Sequence, residues 1–257
     1  MTGGPFDFSG ATAVVVGGAS GLGRAMAGGL ATHGARVCVV ARDAERARAA
    51  AEALTALGGG GVCHGVAADV ESEASVLALG DALDDAFKGR INIAVNCAGI
   101  NVRNPIEKIA LAEWERVQRV NTTGAFLFSR TMYPRLKAGG WGRLIHVTSI
   151  FATRTFPHRV SYASSKGALL QLTKTLALEW ALEGITVNAI SPGPFATDMM
   201  KPVLADPERA AVFLRRIPVG RFGDPSELVT ACLFLASRAS GYVTGAEILV
   251  DGGWTAT

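Results

Sequence analysis

The sequence predicts an α/β fold built on a doubly wound parallel sheet, and three features predict it. Apolar runs of strand length alternate with helical stretches from one end of the chain to the other. Those runs are near-continuous instead of alternating, as in strands buried on both faces. A glycine-rich turn stands between the first run and the first helix, where a parallel sheet opens its ligand crevice.

Taken in order, residues 13–16 form a short apolar run that stops at Gly17, and 22–33 read as a helix ended by Gly34. Residues 36–41 are a second strand and 44–57 a second helix, closed by the four glycines at 58–61. Further strand-length runs lie at 62–67, 91–96 and 144–148, with helical stretches between them. A last strand at 247–250 closes a sheet of about seven strands with helices on both faces. No low-complexity linker divides the 257 residues, so one domain is expected over 1–257. Its least regular part is 191–218, where Pro192, Pro194, Pro202, Pro207 and Pro218 forbid a long helix.

Bulk composition excludes several functions. A formal net charge of +3, from 25 Lys+Arg against 22 Asp+Glu, gives no electrostatic case for nucleic acid or an anionic membrane. The start, Met1-Thr2-Gly3-Gly4-Pro5, lacks the basic and apolar regions of a secretory signal. No apolar run approaches the roughly 18 residues of a spanning helix. Cys38, Cys63, Cys97 and Cys232 are far apart, as are His33, His64, His146 and His158, so no metal site is expected. Reduced thiols in a cytoplasmic protein account for the cysteines.

The turn Gly17-Gly18-Ala19-Ser20-Gly21-Leu22-Gly23 opens directly into the first helix. Such a turn lets the backbone approach a pyrophosphate, while the helix N-terminus offers free N–H groups and partial positive charge. Farther on, Tyr162 and Lys166 stand four residues apart on a predicted helix and share one face. Ser149 follows the strand at 144–148, at the carboxyl end where ligands bind in open α/β sheets. Carbonyl reduction needs a proton donor for the developing alkoxide, and a free tyrosine is a poor one at neutral pH. An adjacent ammonium is expected to lower the phenol pKa, and the Ser149 hydroxyl to hold the carbonyl oxygen.

This set of motifs resembles the short-chain dehydrogenase/reductase family, whose fold is a Rossmann-type sheet. Glycines at 17, 21 and 23 are similar to its T-G-x-x-x-G-x-G loop, with Val16 in place of the threonine. The resemblance implies that Gly17, Ser20, Gly21, Leu22 and Gly23 cradle the cofactor. Asp69-Val70 resembles its second-strand acidic turn, which meets the adenine. Asn96-Cys97-Ala98-Gly99 resembles its N-N-A-G motif, with Cys97 for the second asparagine. Pro192, Gly193 and Thr197 match the segment that embraces the nicotinamide carboxamide. The same resemblance makes Tyr162 the general acid/base and Lys166 its tuning partner and ribose ligand. It assigns substrate orientation to Ser149, and to Asn121 a water linking Lys166 to solvent. Asn121 read by itself is a local kink or helix cap.

Strand two ends Ala41-Arg42-Asp43. Ala41 stands where NAD-dependent relatives carry Asp, and the Arg42 fork suits a 2′-phosphate, so NADP is preferred. Asp43 swinging toward the ribose would serve NAD. For substrate, residues 6–10 and 251–254 look like gluconate 5-dehydrogenases and related sugar-acid reductases, and the chain as a whole resembles these and 3-oxoacyl carrier-protein reductase-like members. A sugar acid would be met by Arg103, with Arg154 and His158 as further candidates. The alternative is an acyl-thioester or cyclic ketone under Phe195, Met199, Met200 and Val203. A non-catalytic dinucleotide sensor or scaffold is the reading from another class. A substrate lid at about 194–218 and a homotetramer, the latter by resemblance, complete the expectations.

Overall fold

The computed structural model describes residues 4–58 and 61–256. The first three residues of the chain start and the glycines at 59–60 of the four-glycine stop lie outside the described residues. Seven strands form one sheet in the order β3-β2-β1-β4-β5-β6-β7, every neighbouring pair parallel. They are β1 (Thr12–Val16), β2 (Arg36–Ala41), β3 (His64–Ala67), β4 (Ile93–Asn96), β5 (Gly142–Val147), β6 (Ile185–Pro192) and β7 (Glu247–Val250).

Successive strand residues enter opposite apolar layers. Ala13, Val15, Val37, Val39, Ile93 and Val95 pack on one side with Met26, Leu30 and Cys232. Val14, Val16, Cys38, Val40 and Ala94 pack on the other with Leu83, Phe128 and Met132. Both faces are dry, which is why these strands are apolar throughout. The first layer belongs to α1 (Gly21–Thr32) and α9 (Val229–Ala236), the second to α3 (Glu73–Phe87), α5 (Gly124–Ala138) and α6 (Val160–Trp180). Between β2 and β3, α2 (Ala44–Ala56) begins at Asp43, whose carboxylate accepts from Arg46 N at 2.9 Å.

Strand β6 has no counterpart in the sequence reading. Its buried Thr186, Asn188 and Ser191 interrupt the apolar run. Asn188 spans to the loop before β7, donating to Val243 O at 2.8 Å and accepting from Ala246 N at 3.0 Å. Asn188 and Ser191, whose Oγ donates to Glu247 Oε1, are buried because they are bonded.

The helix after β4 is also not uniform. α4 (Leu111–Gln118) passes through a π-turn, Arg119–Thr123, before α5 begins. The kink read at Asn121 is this turn, a feature that recurs at functional sites. The proline-rich segment folds into a 3-10 turn, Asp198–Met200, then α7 (Lys201–Leu204) and α8 (Pro207–Leu214). Its Val203, Phe213 and Ile217 are buried against Ile150, Phe151 and Trp254 in a third cluster.

Candidate active site

The strand order reverses between β1 and β4, and a cleft of about 670 Å³ runs along the carboxyl ends of the strands there. Gly17, Ser20, Gly21, Leu22 and Gly23 line one end, with Arg42, Asp69 and Val70 beside them. Ser149, Tyr162 and Lys166 line it farther along, near Pro192, Gly193 and Thr197. The glycines are required by contact as well as by conformation. Gly17 has φ +74°, and a Cβ there would meet the backbone of Cys97 at 3.0 Å. A Cβ on Gly23 would stand 2.2 Å from the Gly17 carbonyl oxygen. A bare backbone cradle at a helix start fits the pyrophosphate of a dinucleotide.

Asp69-Val70 follows β3, not the second strand as expected. In this sheet order β3 lies outside β2, so its end faces the outer rim of the cleft. Asp69 Oδ1 accepts from Glu71 N at 3.0 Å and its own N donates to Ser75 Oγ at 3.0 Å, which fixes the turn. Ala98 and Gly99 line the cleft, while Asn96 is buried beneath it, its Oδ1 accepting from Ala98 N at 3.3 Å.

The reacting end is assembled by α6 and the loop after β5. Burial pushes the Tyr162 phenol above the ordinary tyrosine value, and a hydrogen bond with the Ser149 hydroxyl pulls the other way. Cys97 adds to the rise, while the Arg159 and Arg103 charges oppose it. The ammonium of Lys166 lies 5.7 Å from the Tyr162 ring centre and donates to Val147 O at 2.8 Å. The lowering expected from Lys166 is therefore not found: what opposes desolvation of the phenol is the Ser149 hydroxyl and the two arginines. Burial brings Lys166 itself down to about 8.

Asn121 is fully buried, and its side chain ties three pieces together. Its Oδ1 accepts from Ile100 N at 2.8 Å, and its Nδ2 donates to Ile100 O and Ser165 Oγ, both at 2.9 Å. Ser165 Oγ in turn donates to Tyr162 O at 2.7 Å. A Cβ on Gly99 would touch both Lys166 Nζ, at 3.4 Å, and Asn121 Oδ1, at 3.5 Å. Those two polar atoms thus face one spot, as a relay between them requires.

Of the three residues expected to meet a sugar acid, only Arg103 lines the cleft, and of the apolar set Phe195, Met199 and Met200 line it while Val203 does not. Arg103 Nη2 donates to Met199 O at 3.1 Å and contacts the Met200 sulfur at 3.6 Å. Arg154 and His158 are exposed and outside it. Arg154 Nη2 reaches Thr255 O at 3.4 Å, and His158 occupies a left-handed turn at φ 63°. Two arginines that sequence reasoning passed over do line the cleft, Arg46 near Arg42 and Arg159 near Tyr162. Arg46 sits one helical turn past the strand end, a spacing that could have been noticed. Nothing in the sequence distinguishes Arg159 from its exposed neighbours.

Residues 17–255 match the family model described as enoyl-(acyl carrier protein) reductase. The chain belongs to the short-chain dehydrogenase/reductase family. Among curated members, this short-chain dehydrogenase/reductase is 41% identical to 3beta-hydroxysteroid dehydrogenase 1 of Eggerthella lenta over 251 residues, 97% of this chain and 95% of that protein. It is 39% identical to D-threitol dehydrogenase of Mycolicibacterium smegmatis over 254 residues, 97% of this chain and 95% of that one. Among solved structures, gluconate 5-dehydrogenase from Burkholderia cenocepacia, in complex with NADP and tartrate, superposes with a TM-score of 0.93 at 34% identity, covering 98% of each chain. The family acts on alcohol and ketone groups, so the chain is an oxidoreductase, as the four-residue constellation led one to expect. Among the described residues no helix is long and apolar enough to cross a membrane.

Proposed function

We propose that this enzyme interconverts a ketone and a secondary alcohol with NADP(H), Tyr162 serving as general acid/base. The carrying observation is the convergence of Ser149, Tyr162 and Lys166 in a cleft whose other end is a glycine loop. A bound nicotinamide supplies or accepts the hydride. Tyr162 gives its phenolic proton to the carbonyl oxygen during reduction and takes it back during oxidation. Ser149 holds that oxygen through its hydroxyl. Lys166 binds the ribose and, through a water held at Asn121, returns the proton from solvent. Asp69 and Val70 meet the adenine, with Ala98, Gly99 and the buried Asn96 supporting the same wall. Pro192, Gly193 and Thr197 embrace the carboxamide.

Support for NADP over NAD comes from Arg42 and Arg46, both on the cleft beside the strand end. Asp43, the residue that would serve NAD, is engaged as the cap of α2. The NADP-bound Burkholderia relative points the same way. Arg42→Ala is expected to raise the NADPH dissociation constant roughly tenfold or more, by loss of a charge-assisted bond of ~1.5–3 kcal/mol. NADH should be almost unaffected, and equal weakening of both would remove the basis for NADP.

For substrate we favour a sugar acid of the gluconate/5-ketogluconate kind, supported by Arg103 on the cleft and by the Burkholderia relative. The second reading, a cyclic ketone, draws on Met199, Met200 and Phe213 along the same wall and on the hydroxysteroid relative. A panel of sugar acids, polyols and cyclic ketones, followed by nicotinamide absorbance with each cofactor, decides between them. No turnover on any member would defeat the assignment.

We also propose one domain with a lid at 194–218 that tightens on binding. Met199, Met200 and Phe213 line the cleft, and short helices such as α7 and α8 depend on tertiary packing. Amide exchange over 195–217 should slow clearly when NADPH binds. Protection equal to that of the core strands in both states would rule the lid out.

A cytoplasmic homotetramer is the assembly proposed. Free cysteines support the compartment, and exposed Leu111, Phe126, Leu178, Leu182 and Tyr242 support association. Sedimentation at micromolar protein should give four times the 26.7 kDa chain mass. A monomer would overturn the assembly, and exclusion from the cytosolic fraction of cells the location.

A further inference from the structure

We infer that Arg159 is the receptor for a carboxylate on the substrate's carbon chain, which makes it a specificity-determining residue of this site. The inference rests on the proposed ketone/alcohol reading and names the class of substrate it takes.

Arg159 directly precedes α6, three residues before Tyr162, and is only 7% exposed although it lines the cleft. A guanidinium carries five donors and is rarely buried without an acid. Here Nη1 donates to His158 O at 3.0 Å, a backbone oxygen of the adjoining residue, and the group lies 5.9 Å over the Phe156 ring. Among the described residues no carboxylate forms an ion pair with it.

The charge acting on it from Arg103, a second cation on the same wall, makes matters worse. Arg103 also lacks an acid and spends its contacts on Met199 O and the Met200 sulfur. Burial and the Arg103 charge together bring Arg159 down to about 10. Desolvating a charge without a counter-ion is among the most costly arrangements a fold can hold. A substrate carboxylate entering beside Tyr162 would relieve it, and a planar fork pairs with a carboxylate through two parallel bonds. The N-terminal turn of the 21-residue α6 adds partial positive charge of the same sign. A purely catalytic purpose, holding the Tyr162 phenolate, is the weaker explanation. The Ser149 hydrogen bond outranks Arg159 among the influences lowering that phenol.

The test compares two four-carbon probes that share hydroxyls on the two central carbons, tartrate with a carboxylate at each end and erythritol with a hydroxymethyl group there, titrated into NADPH-loaded protein. Wild type should bind tartrate more tightly than erythritol. Arg159→Gln should weaken tartrate at least tenfold and leave erythritol and NADPH unchanged, while Arg159→Lys recovers part of the loss. No tartrate preference in wild type overturns the inference, as does undiminished tartrate binding in Arg159→Gln. Parallel loss of both probes likewise overturns it by assigning Arg159 to the scaffold. Failure of the ketone/alcohol reading is distinguishable, since it appears as absent turnover across the substrate panel with tartrate binding intact.

Discussion

Tyr162→Phe is expected to reduce turnover by ~10²–10⁴-fold, the usual worth of a positioned general acid or base. The ring would keep its packing, including the edge contact with Phe151 at 6.5 Å between centres. Only the phenolic proton and its bond with Ser149 would be lost. Cofactor affinity should therefore stay within a few-fold of wild type, because the glycine loop and Lys166 are untouched. Steady-state rates on the best substrate, paired with NADPH binding followed by fluorescence, provide the measurement. Near-wild-type turnover would mean that the proton comes from elsewhere and that the assigned chemistry is wrong.

Gly23→Ala should have an effect of comparable size on binding instead of turnover. The added Cβ would stand 2.2 Å from the Gly17 carbonyl oxygen, and both partners are backbone, so no side chain can rotate away. The loop must open or α1 must move, and overpacking of this kind costs ~1–3 kcal/mol. Taken from cofactor affinity, that is up to about a hundredfold in the dissociation constant. Gly28→Ala, in the same helix, is the control, since its Cβ would meet Leu54 at 3.5 Å and Leu57 at 4.0 Å, both ordinary contacts. It should bind cofactor normally and gain up to about 1 kcal/mol of stability from helix propensity. Equal NADPH affinity in Gly23→Ala and Gly28→Ala would refute the cradle.

Much of this was legible beforehand, and for identifiable reasons. β1, β2 and β4 carry unbroken apolar runs because each is covered on both faces, and β5 shows a shorter one between buried Arg143 and His146. β6 was not legible, because Asn188 and Ser191 are buried polar residues whose partners come from distant chain, and Thr186 is buried with its hydroxyl unpaired among the described residues. Tyr162, Lys166 and Ser149 stood out through local spacing and strand ends, and all three line the cleft. Arg154 and His158 did not follow them, since a left-handed turn at His158 separates adjoining residues into different environments. Its neighbour Arg159 is buried while His158 is exposed, a distinction set by the path of the chain rather than by residue type. The pKa of Tyr162 was misjudged likewise, because desolvation depends on the assembled walls.

The contact of Gly17 with the backbone of Cys97 also bears on how binding free energy is divided. The first phosphate-loop residue is wedged against the chain leaving β4, at 3.0 Å from where a side chain would begin. Its conformation is settled when the sheet forms, so the entropy of ordering it is incurred once, in folding. A dinucleotide arriving there meets N–H groups already in place, and its affinity is not reduced by freezing a loose loop. Preorganisation at that end leaves the remaining conformational cost of the complex to the segment proposed as a lid across the cleft.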